Sequence, residues 1–383
     1  MSDRKNPSPF FTAHRKDLAA LAGEDRLRAL APRAGRDFAS NDYLGLATSD
    51  ALRAALTAGI ERGLPAGSGG SRLLRGNHEE HEALEAHAAR HYGSEAALFF
   101  ATGFAANAAL FATLPQRGDL IVHDEYIHAS AHDGMKLGRA GSIAAAHNDA
   151  QAFDDIITRW RAGGGAGTPW IAVESVYSMD GDRAPLADLA AIADRHDAVL
   201  VVDEAHATGV FGPGGAGLAH DLADRDNLIT LHTCGKALGA EGALLCAPAV
   251  ARDFIVNRGR PFIFSTAPSP LMAWLVRQAI EIAANEPERQ ARLHGLVRHA
   301  AERLVSLGIA ASGTQILPVV IGENDRTMRI AANLREAGFD IRGIRPPTVP
   351  QGTARLRIAI TLNTDEADID AMADALAAAM TAA

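Results

Sequence analysis

The sequence predicts an α/β fold with a large domain on a mostly parallel sheet and a smaller C-terminal α+β domain. Short apolar runs alternate with helical patterns through the first two thirds of the 383-residue chain, as in DLIVHDE, WIAVESV, AVLVVDEAH and NLITLHT. Apolar residues in continuous rather than alternating order indicate strands covered on both faces, which is typical of parallel sheets. The length also exceeds that at which one core usually divides, so two domains are expected.

The elements are predicted in the following order. An amphipathic helix over residues 14–31 should end at Pro32, EEHEALEAHAARHYG should be helical, and AALFFATGFAANAALFATL should form a strand, a turn and a helix. The pattern breaks around RPFIFSTAPSP, and a long helical stretch then precedes ILPVVIG, a helix, GFDIRGI, ARLRIAI and a terminal helix. The predicted units are therefore an N-terminal helical segment at 1–40, the large domain at 41–262 and the smaller domain at 263–383.

Composition excludes several classes of protein. The formal net charge of -9 argues against general nucleic-acid or membrane-surface binding, since both need a basic surface. The two cysteines, Cys234 and Cys246, are too few for a disulfide framework and indicate a reduced chain. We find no secretory signal and no uninterrupted apolar stretch of about 18 residues, so a cytoplasmic location is expected.

Polar residues follow several of the predicted strands. Because ligands bind at the carboxyl ends of the strands in such sheets, these residues are the candidates for a site. They are Thr102, Gly103, Phe104, His128, Tyr177, Ser178, Asp203, His206, Thr233 and Lys236. An aspartate after a strand is often only a helix cap, but five strand ends that carry such groups favour a shared site.

This set of residues suits pyridoxal phosphate (PLP). A lysine such as Lys236 forms a Schiff base with the cofactor's aldehyde, and a carboxylate such as Asp203 keeps the pyridine nitrogen protonated. A turn of small residues and hydroxyls at a helix N-terminus binds the phosphate, and an imidazole stacks on the ring. Burial would lower the pKa of the lysine and make it a better nucleophile and base.

Three other motifs suggest different chemistry but fit less well. GPGGAG at 212–217 matches a dinucleotide-binding pattern, yet it lies well beyond the strand that ends at Asp203, so a loop is favoured. HEEH at 78–81 and HAARH at 87–91 lack the full spacing of a metal site, so no metal is expected. The lysine in CGKA has no phosphate-binding loop before it.

The sequence resembles the α-oxoamine synthases, a family of fold-type-I PLP-dependent transferases. The resemblance extends from SNDYLGLA to ARLRIAI and rests on GSGGSRLLRGNHEEHEALE, ATGFAANAAL, HDEYIHASAHDG, ESVYSMDGDRAPL, VVDEAHATGVFGPGGAG, HTCGKALG, FIFSTAPSP and IRPPTVPQGTARLRIA. It implies Lys236 as the Schiff-base lysine, Asp203 at the pyridine nitrogen and His128 stacked on the ring, these three being catalytic.

The resemblance also implies further contacts. The cofactor would be held by Gly103, Phe104, His128, Ser178, Asp203, His206, Thr233, Lys236 and, from the other subunit of a homodimer, Ser265 and Thr266. The substrate would be bound by Arg28, Asn41, His128, Arg345, Thr348 and Arg355, with Arg15 and Arg26 as alternatives to Arg28. A surface or interdomain salt bridge is the alternative role for Arg345 and Arg355.

The implied reaction is a decarboxylative condensation of L-alanine with pimeloyl-CoA or a pimeloyl-carrier protein. It gives 8-amino-7-oxononanoate, CO2 and the free thiol, in biotin biosynthesis. The alternatives within the family join glycine to acetyl-CoA or succinyl-CoA, or serine to palmitoyl-CoA. The alternative from another class is a nucleotide-binding protein without enzymatic activity. The sequence leaves open the length of acyl chain accepted and the role of Cys234.

Overall fold

The computed structural model describes residues 9–383, and its centre is a seven-stranded sheet. Its strands, in spatial order, are β2 (Ala96–Phe100), β8 (Ala243–Ala247), β7 (Leu228–Thr233), β6 (Val199–Asp203), β5 (Pro169–Glu174), β3 (Leu120–Asp124) and β4 (Gly141–Ala145). All neighbours are parallel except β8, which is antiparallel to β2 and β7. The predicted α/β class with a mostly parallel sheet is confirmed.

Helices cover both faces of this sheet. They are α2 (Asp50–Glu61), α3 (Glu79–Tyr92), α4 (Gly103–Thr113), α5 (Ala129–Leu137), α6 (Ala150–Ala162), α7 (Leu186–His196), α8 (Ala249–Arg258), α9 (Arg260–Ile263) and α10 (Pro270–Asn285). One buried cluster includes Leu110 and Met135 of α4 and α5, and another includes Phe153 and Leu189 of α6 and α7. Strands β2, β3, β5 and β8 are buried along their whole length, as their continuous apolar sequences predicted.

The C-terminal part contains a small antiparallel sheet. Its strands are β11 (Arg342–Ile344), β12 (Ala354–Ala359) and β9 (Ile316–Gly322), in that spatial order, and its helices are α11 (Pro287–Ser306), α12 (Asn324–Glu336) and α13 (Glu366–Ala382). Strand β1 (Arg36–Asp37) pairs in parallel with β10 (Phe339–Asp340), which brings the N-terminal segment against this part. The α+β prediction for the C-terminal part agrees with these elements, and the division at residue 262 stays a prediction.

The N-terminal helix is shorter than the sequence predicted. Helix α1 spans Thr12–Gly23, and the segment before Pro32 is not helical. The backbone turns at Asp25, whose φ is 54°, and the Arg26 amide donates to the carbonyl of Leu21 at 2.8 Å. Glycine at the end of the helix and a residue in the left-handed region beyond it explain why the helix ends there. The freed segment runs towards residues 345–348.

Across residues 9–383, none of the helices combines the length and the apolar character that crossing a membrane requires.

Candidate active site

Lys236 lies in a tight turn between β7 and β8, at the carboxyl end of the parallel strands. The Cys234 amide donates to the Gly242 carbonyl at 2.8 Å, and the Ala240 amide donates to the Cys234 carbonyl at 2.9 Å. This turn directs the amine inward, where Lys236 Nζ lies 2.8 Å from His206 Nε2. Burial lowers the pKa of Lys236 to about 8. An amine with this pKa is partly neutral near physiological pH and therefore able to attack a carbonyl carbon.

His206 connects Lys236 to further polar residues. Its Nδ1 lies 2.6 Å from the Tyr43 hydroxyl, which donates to Asn41 Oδ1 at 2.9 Å. Because that hydroxyl directs its proton to Asn41, it accepts from His206 Nδ1, and His206 Nε2 is left to accept from the lysine. Burial holds the pKa of His206 well below its usual range, which keeps the ring neutral.

Arg357 of β12 ends this chain of contacts. Its Nη2 donates to Asn41 Oδ1 at 2.9 Å and its Nε donates to the Ser178 carbonyl at 2.6 Å. The residue is only 6% exposed. A buried guanidinium beside a reactive lysine is well suited to a small carboxylate, because its planar fork pairs with both carboxylate oxygens.

Asp203 ends β6 and is buried, with one hydrogen bond to each oxygen. Asn107 Nδ2 donates to Oδ2 at 2.9 Å, and the Ala205 amide donates to Oδ1 at 3.0 Å. Two donors orient the carboxylate, while each oxygen keeps a further lone pair. The side chain can therefore pair with a protonated ring nitrogen.

The same Asn107 links Asp203 to His128. Asn107 Nδ2 also donates to Ser130 Oγ at 2.9 Å, and Ser130 Oγ lies 2.7 Å from His128 Nδ1. The Ser130 amide donates to that same nitrogen at 3.2 Å. His128 Nδ1 is thus an acceptor, and the proton of the neutral ring lies on Nε2. Burial lowers the pKa of His128, and the negative charge of Asp203 opposes this effect.

Glu174 is a second buried acid at this edge of the sheet. Its Oε2 accepts from the Ser178 amide at 3.2 Å, while its Oε1 has no hydrogen-bond partner among residues 9–383. Burial raises the pKa of Glu174 to about 8, and the nearby Asp203 carboxylate adds to the shift. An unpaired buried carboxyl oxygen fits a site that receives a polar ligand.

The N-terminus of α4 lies beside Thr233. Thr102 caps this helix by accepting from the Ala105 amide at 3.0 Å, and Gly103 and Phe104 begin it. A side chain added at Gly103 would lie 3.7 Å from Thr233 Oγ1. Free backbone amides at a helix N-terminus, a small residue and a hydroxyl together make a site for a phosphate group.

The donors and acceptors present therefore fit PLP. Lys236 supplies the amine, Asp203 the carboxylate, His128 the imidazole, and the start of α4 with Thr233 the phosphate end. Among residues 9–383, no group of histidines, cysteines and acids has the geometry of a metal site.

A cavity of about 560 Å³ lies next to these residues. His128, which contacts Ser130, and Ser178, whose carbonyl accepts from Arg357, belong to its wall. The remaining lining residues are Arg28, Glu125, Tyr126, Ile127, Ala129, His132, Tyr177, Met179, Asp180, Pro347, Thr348, Val349 and Pro350. Arg28 Nη2 donates to Thr348 Oγ1 at 3.1 Å across the cavity mouth. The cavity is large enough for an acyl chain and has mainly apolar walls.

The other arginines predicted from the sequence have contacts outside the chain of hydrogen bonds that begins at Lys236. Arg355 forms an ion pair with Asp180, and Arg345 donates to the Asp25 carbonyl. Arg26 and Arg345 line a smaller cavity of about 270 Å³ that shares Arg28 and Thr348 with the larger one. Arg15 lies in α1, where it donates to Thr12 Oγ1 at 3.4 Å. Of the three N-terminal arginines, Arg28 is the one that lines the large cavity.

Ser265 and Thr266 lie on the exposed turn between α9 and α10. Ser265 Oγ donates to the Pro261 carbonyl at 2.5 Å. The predicted contact of these two residues is with the site of a second subunit and stays a prediction.

The remaining motifs have local structural roles. The GPGGAG segment folds over the buried Glu204, whose carboxylate a side chain at Gly217 would meet at 2.7 Å, and Gly217 has a φ of +99°. His78 and His81 form a capping box at the start of α3. Cys234 is fully buried, and burial raises the pKa of its thiol. A packed, unreactive thiol explains the cysteine beside the lysine.

Sequence reasoning missed five residues of the site: Tyr43, Asn107, Ser130, Glu174 and Arg357. Asn107 carried a usable signal, since it is the one strongly polar side chain within the apolar helix GFAANAALFAT. Glu174 also carried one, as an acid that ends a fully buried strand. Tyr43 and Arg357 lie in quoted motifs, but only the long-range packing shows that they meet.

Comparisons with known proteins agree with this geometry. The family model for aminotransferases of class I and II matches residues 35–376. An 8-amino-7-oxononanoate synthase of Anaeromyxobacter dehalogenans is 43% identical over 351 residues, which cover 91% of this chain and 87% of the relative. A crystal structure of 8-amino-7-oxononanoate synthase from Francisella tularensis has a TM-score of 0.77 and 26% identity, covering 91% of this chain and 98% of that chain.

A second solved structure, of lower sequence identity, shares the fold. It is a serine palmitoyltransferase variant from S. paucimobilis with a bound PLP–myriocin aldimine, with a TM-score of 0.88 and 24% identity over 99% of both chains.

Proposed function

This chain belongs to the class I and II aminotransferase family and, within it, to the 8-amino-7-oxononanoate synthases, and we propose that it condenses L-alanine with a pimeloyl thioester. The products are 8-amino-7-oxononanoate, CO2 and the free thiol. The observation that carries the proposal is the partly neutral Lys236 amine, 2.8 Å from His206 and at the same sheet edge as Asp203. PLP is the cofactor; when bound, it supplies an aldehyde for the amine and a ring that accepts the electron pair left on the α-carbon.

Lys236 has two tasks in this reaction. With its pKa near 8, roughly a quarter of the amines are neutral at about pH 7.5, which suffices for attack on the aldehyde. Once alanine has taken its place, the free amine moves the proton at the alanine α-carbon. Neutral His206 accepts a hydrogen bond from Nζ and thereby orients the amine without competing for its proton.

Arg357 and Asn41 are proposed to hold the carboxylate of alanine. Arg357 is anchored by its Nε on the Ser178 carbonyl, so its outer nitrogens can pair with two oxygens. Asn41 fixes the plane of the guanidinium through Nη2. This assigns to Arg357 the substrate contact that the sequence placed at Arg355.

The acyl chain is proposed to occupy the cavity beside His128 and Ser178. Its apolar wall, which includes Ile127, Met179 and Val349, suits a methylene chain, and Arg28 at the mouth suits an anionic group of the donor. Whether that group belongs to CoA or to a carrier protein is the first question for experiment.

We also propose that the enzyme acts as a homodimer with a shared site. The Ala267 amide donates to the Gly70 carbonyl at 2.9 Å, which joins the turn after α9 to the segment that contains Leu74. On this joint surface Leu74 is 85% and Phe264 is 71% exposed. Adjacent exposed apolar side chains mark protein interfaces, and Ser265 and Thr266 lie on the same turn.

Release of the free thiol with matched substrate pairs tests the reaction. L-Alanine with pimeloyl-CoA or a pimeloyl-carrier protein is expected to give turnover. Glycine with acetyl-CoA or succinyl-CoA, and serine with palmitoyl-CoA, are expected to give less. Turnover with one of these pairs, and none with alanine and either pimeloyl donor, would assign the chain to another activity of the family.

Subunit mixing tests the shared site. Lys236→Ala and the double variant Ser265→Ala/Thr266→Ala are each expected to be weak or inactive as homodimers. A mixed dimer carries one intact site, so activity should reappear when the two are co-expressed. If mixing restores nothing although mixed dimers form, Ser265 and Thr266 do not serve the partner's site.

A further inference from the structure

His147 lies between two carboxylates and behind the wall of the large cavity, where its ring packs against Tyr126 and Tyr177 of that wall. Its Nδ1 is 2.9 Å from Asp124 Oδ1 and its Nε2 is 2.8 Å from Asp182 Oδ2. An ionised carboxylate can accept hydrogen bonds but cannot donate them, so both ring nitrogens donate and the ring is an imidazolium. The reaction proposed above does not use this group.

The imidazolium connects three loops at the carboxyl edge of the sheet. Asp124 ends β3, and its oxygens also accept from the Tyr126 amide at 2.8 Å and the Asn148 amide at 2.9 Å. Asp182 lies in the loop after β5 and accepts from Asn148 Nδ2 at 2.5 Å. His147 itself lies in the loop after β4. Removal of the ring would therefore take away the charged link between the loops that follow β3, β4 and β5, and would leave Asn148 as the remaining link between Asp124 and Asp182.

Two of these loops contribute to the cavity wall. The loop after β3 contributes Tyr126 and His128, and the loop after β5 contributes Ser178 and Asp180. The imidazole also contacts an aromatic ring from each loop, since its centroid is 4.5 Å from those of Tyr126 and Tyr177. The position of His147 thus fixes the distance between the two parts of the wall.

We propose that His147 is a positioning residue that, as a half-buried cation between Asp124 and Asp182, sets the width of the acyl-donor cavity. This inference rests on the proposed function, since it assigns the cavity to the donor. Widening the cavity would weaken donor binding directly, whereas it would reach the alanine end of the site only through the Ser178 carbonyl, and Arg357 keeps its second contact, to Asn41.

The charge on His147 persists over the physiological pH range. The hydrogen bonds and negative charges of Asp124 and Asp182 outweigh the effect of burial and raise the pKa of His147 to about 10. The other ionisable groups that face the ring are Glu125, whose carboxylate accepts from the His147 amide, and the phenols of Tyr126 and Tyr177. These groups are neutral or negative, so they do not repel the imidazolium.

The test compares His147→Gln with His196→Gln in the full-length holoenzyme. His196, the last residue of α7, is a matched control. Its Nε2 lies 2.8 Å from Asp154 Oδ1 of α6, and neither residue lines the cavity. For His147→Gln we expect the KM for the acyl donor to rise about tenfold, with kcat and the KM for alanine within about twofold, because a small misplacement of a wall costs binding first. His196→Gln should change none of these.

Asp182→Asn gives the same test without removing the histidine. It should raise the donor KM in the same direction, and the double variant should be little worse than either single variant, because both act through one contact. Equal losses for donor and alanine, or additive effects in the double variant, would overturn the proposal.

A readout without substrate separates this inference from the proposed function. NMR of histidine-labelled protein should show His147 protonated on both nitrogens between about pH 6 and 9, whereas exposed histidines titrate near about 6.5. Titration of His147 in that ordinary range would refute its role. If the wild type uses a different acyl donor, the NMR result stands and the KM comparison is made with that donor.

Discussion

Separate replacement of Arg357 and Arg355 distinguishes the two arginines of strand β12. Both are buried, at 6% and 4% exposure, and they lie two residues apart on the same strand. Arg357 contacts Asn41 and the Ser178 carbonyl beside the lysine network, whereas Arg355 pairs with Asp180 in the cavity wall. Arg357→Met should therefore impair alanine binding, and Arg355→Met should not.

The size of the effect follows from the charge pairing that Arg357 would make with the alanine carboxylate. Removal of one partner of a buried charged pair costs about 3–5 kcal/mol. Since each 1.4 kcal/mol is about a factor of ten, the KM for alanine in Arg357→Met should rise by roughly 10²- to 4 × 10³-fold. Arg357→Lys keeps the charge but loses the planar fork, so an intermediate rise of about 10- to 100-fold is expected.

Steady-state release of the free thiol, with alanine varied at saturating donor, measures this directly. Thermal unfolding checks that each variant is folded, because Arg357→Met also leaves the Ser178 carbonyl without its donor, at a cost of about 1–3 kcal/mol. In Arg355→Met the alanine KM should stay within about threefold, while the donor KM rises through Asp180. An unchanged alanine KM in folded Arg357→Met, or an equal rise in Arg355→Met, would refute the assignment.

Three further predictions concern buried groups and backbone. Folded Glu174, with its pKa raised to about 8, keeps a proton that the unfolded chain loses near 4.5, so the stability of the wild type falls as the pH rises from 4.5 to 8. In urea unfolding, Glu174→Gln should therefore be more stable than the wild type by up to a few kcal/mol at about pH 8 and should differ little from it at about pH 4.5. Since burial raises the pKa of the Cys234 thiol, iodoacetamide at about pH 8 should leave the folded enzyme unlabelled and active; rapid labelling of Cys234 would contradict this. Gly217→Ala should lose about 2–4 kcal/mol of stability in the same urea assay, because the new methyl group would collide with Glu204. Gly164 also has a positive φ, but no atom of residues 9–383 lies within 4 Å of an added methyl group, so Gly164→Ala should lose only about 1–2 kcal/mol.

The residues at strand ends were predictable because topology alone brings them together. Once β6 and β7 are recognised as parallel neighbours, Asp203 and Lys236 must emerge at the same edge of the sheet. His128 reaches this edge through β3 in the same way. The start of α4 reaches it through β2, the strand at one side of the sheet. Continuous apolar runs identify the strands, and the rule that parallel strands present their carboxyl ends at one edge supplies these placements.

The residues that close the site were not predictable by this route. Tyr43 comes from the loop before α2, and Arg357 comes from the separate antiparallel sheet. Their approach to His206 depends on the packing of the N-terminal segment and the C-terminal part, which no local pattern encodes. Arg355 and Arg357 share one face of β12, so the alternation of the strand does not distinguish them either.

The burial that unites these residues also sets their charges. It opposes a charge of either sign, so it lowers the pKa of Lys236 and raises that of Glu174, each to about 8. A solvent-exposed pair would be a lysine cation and a glutamate anion near neutral pH, and neither a free amine nor a proton donor would be present. In this site, the convergence of the two pKa values leaves a fraction of neutral amine and a mostly protonated acid at the same edge of the sheet. The position of Lys236 beside His206 therefore does more than present an amine to a cofactor, because burial there also makes the amine reactive.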